Sequence, residues 1–245
     1  MPERAPKNKN LIITIDGPSG AGKSTVARMV ARSLAYRYID TGAMYRGVAC
    51  AFMRQKKKSG SCGSRVDETG DLLCPEEMAA LFEDLMLRFE FGEETRVFLN
   101  GQDISEEIRE PAVSLLASRL SQSELVRNYL GRMQRAEGKN GAVVLEGRDT
   151  GSVVFPDAHV KFYLDASPEI RAARRHLELS AKGHVPDLST VKEEMVRRDK
   201  NDSERNLAPL VVPEGAIYVD TTGLDIQGVV DVLLKHIRSL EGNWK

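Results

Sequence analysis

The sequence predicts an α/β fold in which helices cover a parallel sheet, and two observations support this prediction. Apolar runs of strand length alternate with amphipathic helical patterns along the chain. One of these runs, "LIITID", is apolar without alternation, as expected of a central parallel strand buried on both faces, and "AVVLEGRD" resembles a second buried strand that breaks into a glycine loop. One stretch breaks the alternation: residues 88–101 have period two around a Gly-Glu-Glu turn, which predicts an inserted antiparallel hairpin.

The first half of the chain is predicted to run strand, helix, strand, helix, connection, helix and hairpin. The corresponding ranges are 11–16, 25–34, 36–40, 41–53, 54–71, 75–87 and 88–101. In the first helix, Val26, Met29, Val30 and Leu34 share one face. The connection is polar and rich in glycine and serine, so we expect a flexible surface segment in which the run Lys56–Lys58 is a loop end.

The second half returns to helix over 111–138 and then alternates strand and helix to the end of the chain. Strands are predicted within 142–149, 159–167 and 216–223, and helices within 167–183, 190–206 and 225–240. The helices 167–183 and 190–206 form a predicted helical hairpin around "GHVPDLS". We find no internal repeat.

Composition excludes several classes of protein. The 245 residues are 41% hydrophobic and 29% charged with a net charge of −1, which gives no global reason to expect nucleic acid or an anionic membrane as a partner. No apolar run is long enough for a transmembrane helix, and residues 1–10 are expected to be a solvated, flexible tail. We expect a monomer.

Cysteines and histidines predict neither a disulfide framework nor a protein-held zinc site. The three cysteines are an odd number without CxxC spacing, which fits a reducing cytoplasm. The four histidines are scattered and are expected to be surface or helix-packing residues. Any metal ion should therefore arrive with a nucleotide.

The segment "GPSGAGKS" matches the phosphate-binding pattern GxxxxGK[ST] between an apolar strand and a helix, the context that this pattern requires. Its glycines let backbone N–H groups and the helix N-terminus point at an anion. Lys23 should reach the β- and γ-phosphates and Ser24 should ligate Mg²⁺. The predicted nucleotide-binding residues are Gly17, Pro18, Ser19, Gly20, Ala21, Gly22, Lys23, Ser24 and Thr25. The alternative without a function is a Gly-rich strand-to-helix turn that binds no ligand.

The phosphate-binding pattern does not identify the reaction that the protein catalyses. A GTPase would need NKxD, which is absent from the sequence. The DxxG matches at 67–70 and 225–228 lie in a hydrophilic stretch and in the last predicted helix. An ATPase motor would be expected to have an apolar strand ending in an acidic pair, which is also absent. A kinase for a small anionic acceptor instead predicts arginines spread over several segments, because two phosphate esters must be brought together.

Arginines are spread in this way. Arg46 starts the second helix, and Arg148 follows a predicted strand at the edge where ligand crevices of open α/β sheets lie. Arg198, Asp202 and Arg205 have offsets that place them on one helical face, and Arg171, Arg174 and Arg175 share another. Two alternatives stay open here: Arg198 and Asp202 could be an ordinary i,i+4 pair, and the second set could be a solvated helix face.

At this point the sequence resembles a known family. "IDGPSGAGKST", "YIDTGAMYR", "LNGQDISEEIR", "GRDTGSVVFPDA", "RRDKNDSERNLAPL" and "DTTGL" occur in the order found in bacterial cytidylate (CMP/dCMP) kinases. The resemblance runs from about Leu11 to Leu240 and leaves out the N-terminal tail and the linker between Met53 and Cys74.

The resemblance implies the fold of a P-loop nucleoside monophosphate kinase: a five-stranded parallel sheet flanked by helices, a small antiparallel β insert and a helical lid. It implies one kinase domain over 11–240 after the tail 1–10. The core would comprise 11–40, 141–167 and 206–240, the NMP-binding region with its insert about 41–140, and the lid about 168–205.

The resemblance also implies the reaction, transfer of the γ-phosphoryl group of ATP to CMP or dCMP with Mg²⁺. The acceptor phosphate would be held by Arg46, Arg148 and Arg205, and the sugar faced by Arg198 and Asp202, with Asp40, Thr41 and Tyr45 shaping the pocket. Cytosine would be read by Ser118, Arg127 and Asp149, and the lid would bring Arg171, Arg174 or Arg175 over ATP. The catalytic group would be Lys23, Arg148, Arg205, Arg174 and Arg175.

The assignment of Asp149 has a chemical reason, because the exocyclic amine of cytosine needs an acceptor whereas N3 and O2 need donors. Two alternatives remain for the function: a P-loop kinase for another small acceptor such as UMP, and a nucleotide-binding regulatory module.

Overall fold

The computed structural model describes residues 10–59, 82–83, 85–92, 95–181, 183 and 186–242. Most of the predicted tail, the connection beyond Ser59 and most of the predicted helix 75–87 therefore lie outside the described residues. The described chain divides into two compact units, one running up to Ile39 and resuming at Gly138, the other spanning Asp40–Glu137.

The described residues of the first unit form five strands and four helices. Its strands are β1 (Ile12–Asp16), β2 (Arg37–Asp40), β6 (Val143–Gly147), β7 (Val160–Asp165) and β8 (Ile217–Asp220), and its helices are α1 (Lys23–Leu34), α5 (Pro168–Ala181), α6 (Leu188–Glu204) and α7 (Ile226–Gly242). A π-helical turn, Thr150–Val154, follows β6.

The strands of this unit form one five-stranded sheet in the order β2-β6-β1-β7-β8. β1 lies at its centre and pairs in parallel with β6, where Ile15 faces Glu146, and with β7, where Ile15 faces Phe162. β6 is buried along its whole length, which explains the apolar run Val143–Leu145 that precedes Glu146. The predicted parallel α/β sheet is confirmed.

The hydrophobic core of this unit lies between the sheet and the helices α1 and α7. Ile13 and Phe162 of the sheet, Val30 of α1 and Leu233 of α7 belong to one cluster and are fully buried. α1 ends after Leu34 because Ala35 takes a left-handed backbone conformation, with φ at 56°.

The second unit carries the antiparallel insert. Its elements are α2 (Thr41–Ser59), β3 (Leu87–Phe91), β4 (Thr95–Leu99), β5 (Gln102–Asp103), a 3₁₀ turn (Glu107–Arg109), α3 (Pro111–Leu120) and the start of α4 (Glu124–Gly138). β3 and β4 pair antiparallel, so the predicted hairpin is confirmed, and β5 extends it to a three-stranded sheet.

Two predictions in this unit were wrong. α2 continues through Lys56–Lys58 to Ser59, so these lysines are helical and do not form a loop end. Lysine, arginine and glutamine are good helix formers, so the helix can continue through this polar segment. Its polar composition is typical of a loop as well, so composition alone led to the wrong prediction.

The predicted helix 111–138 is two helices, α3 and α4. Ser121 donates from its side chain to the carbonyl of Ser118 at 2.7 Å. Serine side chains compete in this way with the helical backbone pattern, which accounts for the break. None of the described helices is long and apolar enough to cross a lipid bilayer.

Candidate active site

The glycine-rich loop Gly17–Ser24 joins β1 to α1. Gly17 has φ at 146°, and a Cβ there would lie 1.9 Å from the carbonyl oxygen of Leu164, so this position accepts only glycine. Gly22 takes a left-handed conformation at the N-cap of α1, and the first turn of that helix contains no acidic residue. Backbone N–H groups at this helix start are thus placed to receive an anion.

Lys23 lies inside the loop. Its side chain is buried and its Nζ donates to the carbonyl oxygen of Pro18 at 2.6 Å. Burial, together with the neighbouring charge of Arg148, lowers the pKa of Lys23 to about 7. The ammonium group thus lies in a low-dielectric position beside a second cation, where a bound phosphate would stabilise both charges.

Ser24, the predicted metal ligand, donates from its hydroxyl to Oε2 of Glu146 at 2.9 Å. Glu146 is buried near the end of β6, and its other carboxylate oxygen accepts a hydrogen bond from the hydroxyl of Tyr38. A hydroxyl and a carboxylate oxygen are hard donors of the kind that Mg²⁺ binds. The described residues include no cluster of three or more metal-ligating side chains, and Mg²⁺ sites that share substrate phosphates do not need one.

Sequence reasoning missed Glu146 and Tyr38. We sought an acidic pair at the end of an apolar strand, whereas the strand β6 carries the single acid Glu146 before its last glycine. This signal was present in "VVLEGRD".

Asp16 was also missed. Its buried carboxylate accepts from the backbone N–H and the hydroxyl of Thr150, at 2.9 and 2.8 Å, and from the N–H of Gly151 at 2.7 Å. Burial raises the pKa of Asp16, although the three hydrogen bonds oppose that change. Asp16 thereby fixes the turn that follows Asp149, the predicted cytosine acceptor.

Four predicted substrate residues of the first unit come together in a network of alternating charge. Arg148 donates from Nε to Oδ2 of Asp202 at 3.0 Å, and Arg205 lies 3.9 Å from the other oxygen of Asp202. Arg205 also pairs with Asp149 at 3.4 Å. All four side chains are at most 19% exposed, so their charges are held in place before any ligand binds.

The predicted shared helical face holds only for Arg198 and Asp202. α6 ends at Glu204, and Arg205 has an extended backbone with φ at −64° and ψ at 141°. The guanidinium of Arg205 turns back toward Asp202 and donates to the carbonyl of Ala208 at 2.7 Å. The spacing of Arg198, Asp202 and Arg205 fits a helical period, but it cannot show that α6 ends at Glu204, one residue before Arg205.

The arginines of α5 do not form a solvated face, so that alternative is wrong for two of the three. Arg171 is buried and donates to the carbonyls of Ala166 at 2.9 Å and Ser19 at 3.0 Å. Arg174 donates to the hydroxyl of Thr221 at 2.9 Å and to its carbonyl at 2.7 Å.

The third of these arginines, Arg175, pairs with Glu178 one turn away at 2.8 Å, as an exposed helix face would. α5 therefore contacts both the glycine-rich loop and the loop after β8, through Arg171 and Arg174 respectively.

In the second unit, two groups of predicted acceptor residues are each brought together. At the start of α2, Asp40 accepts from the N–H of Ala43 at 2.8 Å and pairs with Arg46 at 3.0 Å; Thr41 is buried beside them and Tyr45 is half-buried.

The other group meets at the break between α3 and α4. Arg127 donates to the carbonyl of Ser121 at 3.1 Å, and the carbonyl of Ser118 accepts from the Ser121 hydroxyl. Both predicted base-reading residues of this unit therefore contact one residue, Ser121.

Comparison with known proteins identifies the family that this chain matches. Residues 13–239 match the family model described as cytidylate kinase. Proteins named cytidylate kinase from Bacillus thuringiensis (strain Al Hakam) and Bacillus cereus (strain AH187) are each 44% identical over 228 residues, covering 93% of this chain and 96% of theirs. A solved shikimate kinase from Bacteroides thetaiotaomicron is 12% identical with a TM-score of 0.46, over 93% of this chain and 98% of its own, a distant likeness that bears on neither family nor substrate.

Proposed function

Because the chain belongs to the cytidylate kinase family, we propose that it transfers the γ-phosphoryl group of ATP to CMP or dCMP, giving ADP and CDP or dCDP. The observation that carries this proposal is the convergence of Lys23 and Arg148. They come from separate segments, yet Ser24, which follows Lys23, donates a hydrogen bond at 2.9 Å to Glu146, two residues before Arg148. The pKa of Lys23, lowered mainly by burial, is also consistent with the nearby charge of Arg148. A phosphate donor and a phosphate acceptor can both be neutralised at such a place.

The reaction needs positioning and charge neutralisation. A CMP phosphate oxygen attacks the γ-phosphorus of ATP; a new P–O bond forms, and the bond to the oxygen bridging the β- and γ-phosphorus breaks, with its electron pair leaving on ADP. The attacking oxygen is already ionised near neutral pH, so no general base is needed. We expect no role for the histidines in this step.

Repulsion between the two phosphate esters is then the main barrier. We propose that the N–H groups of the loop and Lys23 hold the phosphates of ATP, and that Arg148 and Arg205 hold the acceptor phosphate, with Arg46 of the second unit. Fixed charges of this kind lower the barrier because they need no reorganisation when charge moves.

We propose that Mg²⁺ accompanies ATP and is held by Ser24, with Glu146 accepting from its water shell. Mg²⁺ bound there would neutralise charge on the phosphates. The hydrogen bond from Ser24 to Glu146 supports this proposal, because it places the hydroxyl oxygen within 2.9 Å of the carboxylate oxygen.

Base selection is proposed to rest on Asp149, with Ser118 and Arg127 of the second unit as donors. Asp149 is buried, so a uracil carbonyl facing it would leave an unpaired acceptor, and such mismatches are costly. Arg198 and Asp202 are proposed to face the sugar, with Asp40, Thr41 and Tyr45 shaping the pocket.

The domain roles remain proposals as well. We propose 41–140 as the region that binds the monophosphate and 168–205 as the lid, with Arg171, Arg174 and Arg175 on it. The helical pair α5 and α6 supports the second assignment. We also propose a monomeric enzyme, and we propose a reducing cytoplasm as its location because the cysteines lack disulfide spacing.

A coupled assay with ATP tests the function. CMP, dCMP, UMP, AMP and GMP are offered as acceptors at equal concentration. Turnover confined to the two cytidylates supports the proposal, and comparable rates with AMP or UMP contradict it. Hydrolysis of ATP at the same rate without an acceptor would indicate a regulatory module.

A further inference from the structure

The tip of the glycine-rich loop is held by a pair of charged residues from two different helices. The N–H of Ser19 donates to Oδ1 of Asp199 at 3.1 Å, and the carbonyl of Ser19 accepts from Arg171 at 3.0 Å. Arg171 and Asp199 also form an ion pair through the second carboxylate oxygen. Both backbone polar groups of Ser19 are therefore held by one arginine–aspartate pair.

The neighbouring residue of the loop packs against the same helices. A Cβ at Gly20 would lie 2.7 Å from Cε of Met195 on α6 and 2.8 Å from the carbonyl oxygen of Arg171 on α5. The two helices are joined by a small apolar cluster that contains Ala172 and Met195. Movement of either helix would thus be transmitted to the loop tip by direct contact.

The ion pair itself is mostly shielded from water, since the side chains of Arg171 and Asp199 are 9% and 16% exposed. Stability alone is a weak reason for such a pair, because desolvation of two charges offsets much of their attraction. An acid this close to a phosphate loop also opposes anion binding unless an arginine neutralises it. The Arg171–Asp199 pair binds both the N–H and the carbonyl of Ser19, and this arrangement indicates that the pair positions the loop.

We propose that Asp199 is a positioning residue for phosphoryl transfer, which sets the tip of the phosphate loop through Ser19 and holds Arg171 against it. This inference rests on the proposed kinase function for its kinetic consequence. Asp199 acts through the loop and Arg171, and no contact of Asp199 with a substrate is implied.

The experiment compares Asp199→Ala and Asp199→Asn with wild type in steady-state kinetics, varying ATP and CMP separately. We expect Asp199→Ala to raise KM for ATP about tenfold and to leave KM for CMP within about twofold, because the ATP loop loses its set position. Asp199→Asn should fall between, since its amide oxygen can still accept from Ser19 while the attraction to Arg171 is lost. Glu193→Gln is the matched control, a carboxylate-to-amide change at an exposed position of the same helix, and should be unchanged.

A purely structural role predicts a different result. In that case Asp199→Ala lowers the melting temperature and the active fraction but leaves both KM values unchanged, which would overturn the proposal. A double-mutant cycle with Arg171→Lys adds a second criterion: strictly additive effects on KM for ATP would also contradict it.

Direct titration with a non-hydrolysable ATP analogue separates this inference from the proposed function. If wild type binds the analogue but phosphorylates no cytidylate, the function is wrong while the loss of analogue affinity in Asp199→Asn still supports the positioning role. Equal affinity in wild type and Asp199→Asn would refute that role. Asp199→Asn also serves where Asp199→Ala does not fold.

Discussion

Arg148 and Asp202, 54 residues apart in the chain, form a largely buried ion pair in which the arginine Nε donates to the carboxylate at 3.0 Å. Asp202 approaches Arg205 with its other oxygen, and Arg205 reaches Asp149. The acceptor side of the proposed site is therefore one connected network of charge, so that substitution of one member changes the surroundings of the others.

Arg148→Ala is expected to lower kcat by about a hundredfold or more, the size of effect seen when a fixed donor to a developing charge is removed. Arg148→Lys should restore part of the rate, since the charge is kept while the fork geometry is lost. The measurement is kcat with saturating ATP and CMP. Near-normal turnover of Arg148→Ala, matched by that of the exposed control Arg197→Ala, would remove Arg148 from the mechanism.

Asp149→Ala is expected to raise KM for CMP at least about tenfold and to change KM for ATP by less than about twofold, because only CMP loses an acceptor for its amine. The ratio of kcat/KM for CMP to that for UMP is the sharper measurement. A role limited to holding Arg205 would lower both values equally and leave this ratio unchanged.

Arg174→Met is expected to destabilise the protein by about 1–3 kcal/mol, because the carbonyl and hydroxyl of Thr221 lose their donor. Arg175→Met is the control on the same helix. Its exposed pair with Glu178 should contribute no more than about 0.5 kcal/mol. Urea unfolding measures both, and equal losses in the two variants would contradict the anchoring role of Arg174.

Cys50 provides a pH-dependent prediction away from the proposed catalytic residues. Its thiol is fully buried, and burial together with Glu107 raises the pKa of Cys50 from 9.0 to about 12. The folded state then keeps a proton that the unfolded state loses, so its contribution to stability is complete below pH 9 and falls as pH rises toward 12.

We expect wild type to lose up to about 1.4 kcal/mol more unfolding free energy per pH unit than Cys50→Ala does across this window. Urea unfolding of both proteins at pH 8, 9 and 10 measures this difference, and parallel curves would contradict it. In a second measurement, iodoacetamide at pH 8 followed by peptide mapping should label Cys50 only after unfolding.

Elements whose signal lies within one short stretch of the chain could be predicted from the sequence. The strands β1 and β6, the loop Gly17–Ser24 and the hairpin of β3 and β4 each follow from a composition or a period within about ten residues. The position of Arg148 directly after a buried strand could also be predicted.

The contacts that organise the site could not be predicted in this way. Ser24 meets Glu146, and Arg171 meets Ser19, across 122 and 152 residues of chain. These pairings follow from the register of neighbouring strands and from helix packing, neither of which is visible in one segment. The end of α6 before Arg205 was likewise missed because its helical pattern continues past it.

The hydrogen bonds of Asp16 have a consequence for the order in which this protein can fold. Asp16 precedes the glycine-rich loop and is held by Thr150, 134 residues later, while β1 gains its two neighbours only from β6 and β7. Contacts of such long range are formed late and slowly. A chain emerging from the ribosome therefore carries its phosphate motif long before it has a phosphate site, and a fragment that ends before Val143 should contain the motif without binding ATP.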